Sequence, residues 1–165
     1  MILTWDRDAS DLEVGGEHFI VTNRVRNEID PGAVRRLHDP SEVRRCIVNG
    51  QWGPPYMPRK FPKGECRVTD IEIITDRSSD FWPVKIKTNA HQLVQIWELD
   101  ANGGYDHPID KLIDDSGYHL HWCEKSISTL GCGRVGTNDD TQVRALAHII
   151  RGAMALHEVV HLKVV

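Results

Sequence analysis

Short stretches of alternating apolar and polar residues dominate the chain, and they predict a protein built mainly from β-strands. These stretches are rich in β-branched and aromatic residues, and turn-forming residues separate them. They cover residues 1–8, 18–25, 66–75, 83–88, 93–99, 117–122 and 159–165. The pair Gly15-Gly16 predicts a hairpin between the first two, and Phe61-Pro62-Lys63-Gly64 and Asn102-Gly103-Gly104 predict further turns.

One segment near the C-terminus has the period of an amphipathic helix. Asp139-Asp140-Thr141 places acidic residues at its start, where the helix dipole favours negative charge. Apolar residues follow at helical spacing, at Val143, Leu146, Ala147, Ile150, Met154 and Ala155. Residues 33–46 have a weaker helical pattern, residues 49–58 predict a long loop, and the acidic residues 106–115 predict a surface loop.

These patterns together predict one domain over residues 1–165, of the mainly β (β-rich α+β) class. We expect a β-sandwich or barrel with one main C-terminal helix. The length fits a single domain, and the hydrophobic content of 40% and charged content of 27% are ordinary for a soluble globular protein.

The charge distribution favours no nucleic-acid partner. The net charge is −4, and Lys and Arg are spread along the chain rather than gathered in a basic stripe. No run of about 18 apolar residues predicts a membrane span. The charged first eight residues lack the pattern of a signal peptide, so we expect synthesis in the cytoplasm.

Four cysteines, Cys46, Cys66, Cys123 and Cys132, include no CxxC pair. Their spacing is not that of a dense disulfide framework. We expect free thiols in a reducing compartment, and the count leaves a single bridge open.

The segment Ser128-Thr129-Leu130-Gly131-Cys132-Gly133-Arg134 carries the clearest chemistry. A nucleophilic thiol needs a base and a cationic or N–H-rich environment. His119 and His121 lie upstream on one face of a predicted strand, because strand side chains alternate. Gly131 and Gly133 let a substrate approach backbone N–H groups, which would form an oxyanion hole.

We therefore predict a site with Cys132 as nucleophile, His121 as base and Arg134 as a group that lowers the thiol pKa or binds a substrate carboxylate. The supporting residues are His119, Ser128, Thr129, Gly131 and Gly133. The alternative is that Cys132 is a buried structural thiol in a glycine-rich turn, since free Cys is often a small core residue.

The stretch Thr129-Leu130-Gly131-Cys132-Gly133-Arg134 resembles the Ser-His-Gly-Cys-x-Arg signature of the L,D-transpeptidase (YkuD-type) catalytic domain. His121 matches that family's histidine base. The pattern is closer still to small, largely uncharacterised phage-associated domains, in which a strand with Ile-His precedes Thr-x-Gly-Cys and a later glycine, here Gly136. The resemblance covers most of the chain from residue 56 onward, with Leu130 and Thr129 where the better-known family has His and Ser.

The resemblance implies an L,D-transpeptidase-like fold and cysteine-dependent acyl transfer or hydrolysis on peptidoglycan stem peptides. His121 would take the proton of Cys132, and the thiolate would form a thioester that water or an amine resolves. A peptidoglycan peptide is the expected partner, no cofactor is expected, and phage or secretion machinery would deliver the protein to the cell wall. The alternative is a non-catalytic phage structural or accessory binding module.

Two further patterns contain potential zinc ligands. His157-Glu158-Val159-Val160-His161 has the HExxH form, but that motif needs both histidines on one helical face, and the predicted helix ends near Leu156. In a strand the two histidines would lie about 13 Å apart, too far for one ion. His119 and His121 with Cys123 and Cys132 form a His/Cys mixture that suits zinc, so a zinc-dependent hydrolase is a third alternative, although we predict no metal.

Overall fold

The computed structural model describes residues 1–24, 47–48, 51–52, 60–73, 83–99, 105–123 and 131–165. The predicted helix over residues 33–46 and the predicted turn at 102–104 lie outside this part of the chain, as does most of the predicted loop. The described strands are β1 (Ile2–Asp6), β2 (Asp11–Val14), β3 (Glu17–Thr22), β4 (Ile47–Val48), β5 (Gln51–Trp52), β6 (Gly64–Ile73), β7 (Val84–Thr88), β8 (Gln92–Leu99), β9 (Tyr105–Asp115), β10 (Leu120–His121), β11 (Gly133–Val135) and β12 (His161–Val164).

Eight of these strands form a closed barrel, and four form a separate sheet. The barrel order is β1-β12-β6-β7-β10-β11-β3-β2, and the sheet order is β4-β5-β8-β9. β1 pairs in parallel with β12, and β10 pairs in parallel with β11. The strand-rich architecture confirms the predicted mainly β class.

The hairpin predicted at Gly15-Gly16 is present and joins β2 to β3. Both glycines have positive φ angles, 58° and 83°, which a two-residue turn between twisted strands requires. The first strand of the hairpin, β2, lies between the two predicted strands over residues 1–8 and 18–25, where the pattern predicts a connection. Alternate residues of the two strands face the barrel interior, where Leu12 and Val21 are fully buried.

Aromatic side chains pack inside the barrel. Phe61 makes edge-on contacts with Trp5 and Tyr118, at ring-centre distances of 5.1 Å and 5.7 Å. The Trp5 indole N–H donates to the Val21 carbonyl at 2.9 Å, so this buried polar group is satisfied. These contacts place Phe61 beside the Tyr118 segment that leads into β10.

The predicted C-terminal helix is present as α1 (Thr141–Ala155) and ends where the pattern indicated. Its buried residues are Val143, Leu146, Ala147, Ile150 and Ala153. Met154 packs against the core only in part, and Ala155 is exposed. Among the described residues, no helix has the length and apolar character that crossing a bilayer requires.

The prediction of a surface loop over residues 106–115 is wrong, because these residues belong to β9. β9 pairs antiparallel with β8 along most of its length, with Leu93 opposite Asp114 and Leu99 opposite Tyr105. The neighbouring strand supplies the backbone hydrogen bonds, so strand formation does not require an alternating apolar pattern here. The strand predicted at 117–122 is present only at Leu120–His121.

Candidate functional site

The parallel register of β10 and β11 determines which side chains meet at the site. His121 lies opposite Arg134, and Leu120 lies opposite Gly133. Leu120 is fully buried in the barrel, so the alternation of side chains places His121 and His119 on the outer side. The Gly133 N–H donates to the His119 carbonyl at 2.9 Å, which continues the pairing and places the residue before Gly133 beside His119.

Gly133 permits the close approach of β11 to the barrel core. A Cβ atom at this position would lie 2.6 Å from the Leu120 side chain and 2.9 Å from the side chains of Trp5 and Val21. Any larger residue would therefore displace β11 or its neighbours. Gly133 therefore determines how close the backbone of the adjacent Cys132 lies to the barrel core.

Two backbone groups hold the sulfur of Cys132. The His119 N–H donates to Sγ at 3.4 Å, and the Cys132 thiol donates to the Gly117 carbonyl at 3.4 Å. The side chain is half-buried. A hydrogen bond donated to sulfur favours its negatively charged form, so the His119 N–H would stabilise a thiolate.

His121 is buried, and one nitrogen of its neutral ring carries a lone pair. Its Nδ1 lies 3.4 Å from the Trp122 carbonyl, which can only accept, so the neutral ring carries its proton on Nδ1 and a lone pair on Nε2. The pKa of His121 is lowered to about 4, mainly by burial and in part by the charge of Lys85, while the hydrogen bond to Trp122 acts in the opposite direction. The imidazole is therefore neutral at physiological pH.

His119 lies on the same outer side, and the partner of its Nδ1 is a hydrogen-bond donor and not an acceptor. The Thr88 backbone N–H donates to its Nδ1 at 3.2 Å. Burial lowers the pKa of His119, the ammonium groups of Lys85 and Lys87 lower it further, and Glu72 and the Tyr118 carbonyl act in the other direction.

Arg134 directs its guanidinium at backbone carbonyl groups. It donates to the carbonyls of Cys123, Gly136 and Thr137, with the shortest bond, 2.8 Å, to Thr137. Its guanidinium carbon lies 5.8 Å from the centre of the Trp122 ring. Arg134 thus ties the chain that leaves β10 to the chain that leaves β11, and a role in lowering the thiol pKa or binding a carboxylate stays a prediction.

The backbone of the Cys132 segment is held by a residue that sequence reasoning missed. The side-chain amide of Asn23, just after β3, donates to the carbonyls of Gly131 and Cys132 at 3.1 Å and 3.0 Å. Thr88 and Gly117, which contact His119 and the sulfur, were also missed. All three act on backbone groups or through their own backbone, and no motif in the sequence indicates such contacts.

The remaining site predictions divide by position. Gly131 and Gly133 flank Cys132 as expected, whereas Ser128 and Thr129 lie outside the described part of the chain. Cys66, Cys123 and Cys132 are free thiols, and Cys46 is outside the described residues. Within the described ranges, no group of three or more His, Cys, Asp or Glu residues could hold a metal ion.

The HExxH sequence spans the junction between α1 and β12. The helix ends at Ala155, His157 has a positive φ angle of 59°, and His161 begins β12. The two histidines therefore do not share a helical face, which is the arrangement that a zinc-binding HExxH needs.

Comparisons of the chain with models of protein families, with curated proteins and with solved structures find no match. A fold class alone does not define an activity, because the same fold supports unrelated functions.

Proposed function

We propose that the protein performs cysteine-dependent acyl transfer or hydrolysis on peptidoglycan stem peptides, with Cys132 as nucleophile and His121 as general base. The observation that carries the proposal is a half-buried thiol beside His119 on the neighbouring parallel strand, with His121 two residues further along that strand on the same outer side. A thiol, a neutral imidazole and N–H groups that stabilise negative charge are the parts that acyl transfer needs.

The first step is proton transfer from Cys132 to the Nε2 lone pair of His121. The His119 backbone N–H stabilises the thiolate, which attacks the carbonyl carbon of the substrate and forms a C–S bond. The resulting tetrahedral species collapses, the C–N bond breaks, and the leaving amine takes the proton held by His121. The product of this half-reaction is a thioester on Cys132.

The second step resolves the thioester. Water, or the amine of an acceptor peptide, gives a proton to His121 and attacks the thioester carbonyl. The C–S bond breaks, and the proton returns to sulfur. Water yields a carboxylic acid and amounts to hydrolysis, whereas an amine yields a new amide bond and amounts to transpeptidation.

The choice of substrate rests on the resemblance of Thr129-Leu130-Gly131-Cys132-Gly133-Arg134 to the L,D-transpeptidase signature. In that family the cysteine acts on a peptide carbonyl next to a D-residue. A peptidoglycan peptide is the partner that we propose, with no nucleic acid and no cofactor in the reaction, and with delivery to the cell wall by phage or secretion machinery.

The test is incubation with defined muropeptides, followed by separation of the products. We expect new products from the wild type and from Cys66→Ala, a matched control at another free thiol, and none from Cys132→Ala. Full activity of Cys132→Ala would overturn the proposal. Binding of muropeptides by both wild type and Cys132→Ala, without products from either, would instead indicate the non-catalytic binding module.

A further inference from the structure

The backbone partners of His119 and His121 favour opposite tautomers of the two rings. The Thr88 backbone N–H, which can only donate, bonds to His119 Nδ1 and favours a lone pair there, while the Tyr118 carbonyl is a further hydrogen-bond partner of the ring. In the neutral ring of His119 the bond from Thr88 therefore favours the proton on Nε2. The partner of His121 Nδ1 is a carbonyl, so that ring has its lone pair on Nε2. One imidazole offers an acceptor, and the other offers a donor.

Thr88 is itself fixed in place. It is the last residue of β7 and lies opposite Val68 of β6. Its hydroxyl donates to the Tyr118 carbonyl, next to His119 in the chain, and accepts from the Ala90 N–H. The donor that selects the His119 tautomer is thus part of the barrel framework.

His119 is also placed for contact with a group bound to the sulfur. The pairing of β10 with β11 puts it beside Cys132, at the strand spacing of roughly 4.8 Å. Its side chain is half-buried, so part of it is accessible to solvent. Burial and the charges of Lys85 and Lys87 lower its pKa, which keeps the ring neutral near pH 7, with one N–H donor.

We propose that His119 is a second catalytic residue, whose Nε2–H donates a hydrogen bond to the substrate carbonyl oxygen as this becomes the oxyanion. This inference rests on the proposed function, in which Cys132 is acylated. It gives the two histidines separate tasks: His121 moves the proton, and His119 stabilises the negative charge that develops on oxygen.

Two thiol reagents separate these tasks. Iodoacetamide alkylates sulfur without forming an oxyanion, whereas p-nitrophenyl acetate acylates sulfur through one. Both modifications are measured at Cys132 by peptide mass spectrometry. Loss of an oxyanion donor costs on the order of 100-fold in rate, so we expect His119→Phe to lose about that factor in acylation and little in alkylation. His121→Phe should slow both reactions.

A conservative variant and a spectroscopic measurement complete the test. His119→Gln keeps an N–H donor and should recover much of the acylation rate that His119→Phe loses. Nuclear magnetic resonance of isotope-labelled histidine in the wild-type protein should show His119 as the Nε2–H tautomer and His121 as the Nδ1–H tautomer.

Three results would overturn the inference. An equal loss of alkylation and acylation in His119→Phe would assign His119 to thiol activation or to structure. An Nδ1–H tautomer of His119 would remove the Nε2–H donor. Absence of acyl groups on wild-type Cys132, despite its alkylation, would refute the proposed function itself and the role of His119 with it.

Discussion

The side-chain amide of Asn23 donates a hydrogen bond of 3.0 Å to the carbonyl oxygen of Cys132 across 109 residues of sequence. Its Nδ2 also donates to Gly131, and its Oδ1 accepts from the Phe61 N–H at 2.9 Å. Asn23 is buried, so each of these bonds replaces one to water. One side chain therefore sets the backbone of the candidate nucleophile relative to the barrel core.

Replacement Asn23→Asp should destabilise the protein, because the new carboxylate keeps the bond from Phe61 but faces two carbonyl oxygens. We expect the free energy of unfolding to fall by about 1–3 kcal/mol near neutral pH, the usual range for an unsatisfied buried polar group. The loss should be smaller at acidic pH, where a protonated Asp can donate again. Denaturant unfolding at both pH values measures it.

Asn89→Asp is the matched control for this variant. Asn89 is exposed, and its Oδ1 accepts from the Arg67 N–H at 2.8 Å, a bond that Asp can also make. Its stability should stay near that of the wild type. Equal stabilities of the two variants would refute the role assigned to Asn23.

The low pKa of His121 makes stability depend on pH. Burial lowers this pKa from 6.5 to about 4 in the folded state, so between these values the unfolded chain binds the extra proton. Stability contributed by the neutral form is present above pH 6.5 and is lost as the pH falls towards 4. One pKa unit corresponds to about 1.36 kcal/mol, so the full loss is about 3 kcal/mol.

Denaturant unfolding of the wild type and of His121→Gln over this pH range should show the difference. The slope of the unfolding free energy against pH should be shallower in His121→Gln, whereas His148→Gln, at an exposed helical position, should keep the wild-type slope. Parallel slopes for wild type and His121→Gln would contradict the burial of a neutral imidazole.

Two glycine-to-alanine changes should shift stability in opposite directions. Gly133→Ala brings a Cβ within 2.6 Å of Leu120 and should destabilise by about 1–3 kcal/mol, as overpacking does. Gly152→Ala lies in α1 with no atom within 4 Å of the new Cβ and should stabilise by about 0.5–1 kcal/mol, because Ala favours the helix. Thermal unfolding measures both, and a stable Gly133→Ala variant would mean that β11 can move outward.

Arg134→Lys tests whether Arg134 acts through its shape or through its charge. A lysine keeps the positive charge but cannot reach three carbonyl groups with a planar fork. We expect a loss of about 1.5–3 kcal/mol in unfolding free energy, the usual worth of hydrogen bonds to a charged group. Arg144→Lys is the control, since an exposed lysine can keep the ion pair with Asp140. Wild-type stability of the Arg134→Lys variant would show that the positive charge of Arg134, and not the shape of its guanidinium, stabilises the protein.

Much of the barrel could be predicted because its strands alternate clearly. In β7, Val84 and Ile86 are buried and Lys85 and Lys87 are more exposed, as the pattern indicates. β9 could not be predicted in this way, because its charged residues and Pro108 hide a strand whose formation depends on pairing with β8.

The sequence could name the candidate residues around Cys132, but it could not tell how they are arranged. A spacing of two residues puts His119 and His121 on one face in any register, so the sequence cannot tell which of them lies beside Cys132. That choice depends on the pairing of β10 with β11. The tautomers depend on Thr88 and on the Trp122 carbonyl, and no side-chain pattern reveals such backbone partners.

The position of β12 between β1 and β6 has a consequence for aggregation. The Met1 amino group donates to the Val159 carbonyl across 158 residues. Just after Val159, β12 pairs with β1 on one side and with β6 on the other. If β12 detaches, β1 and β6 both present unpaired backbone groups, and such open edges are templates for pairing with other chains. The four residues of β12 thus keep the facing edges of both β1 and β6 paired.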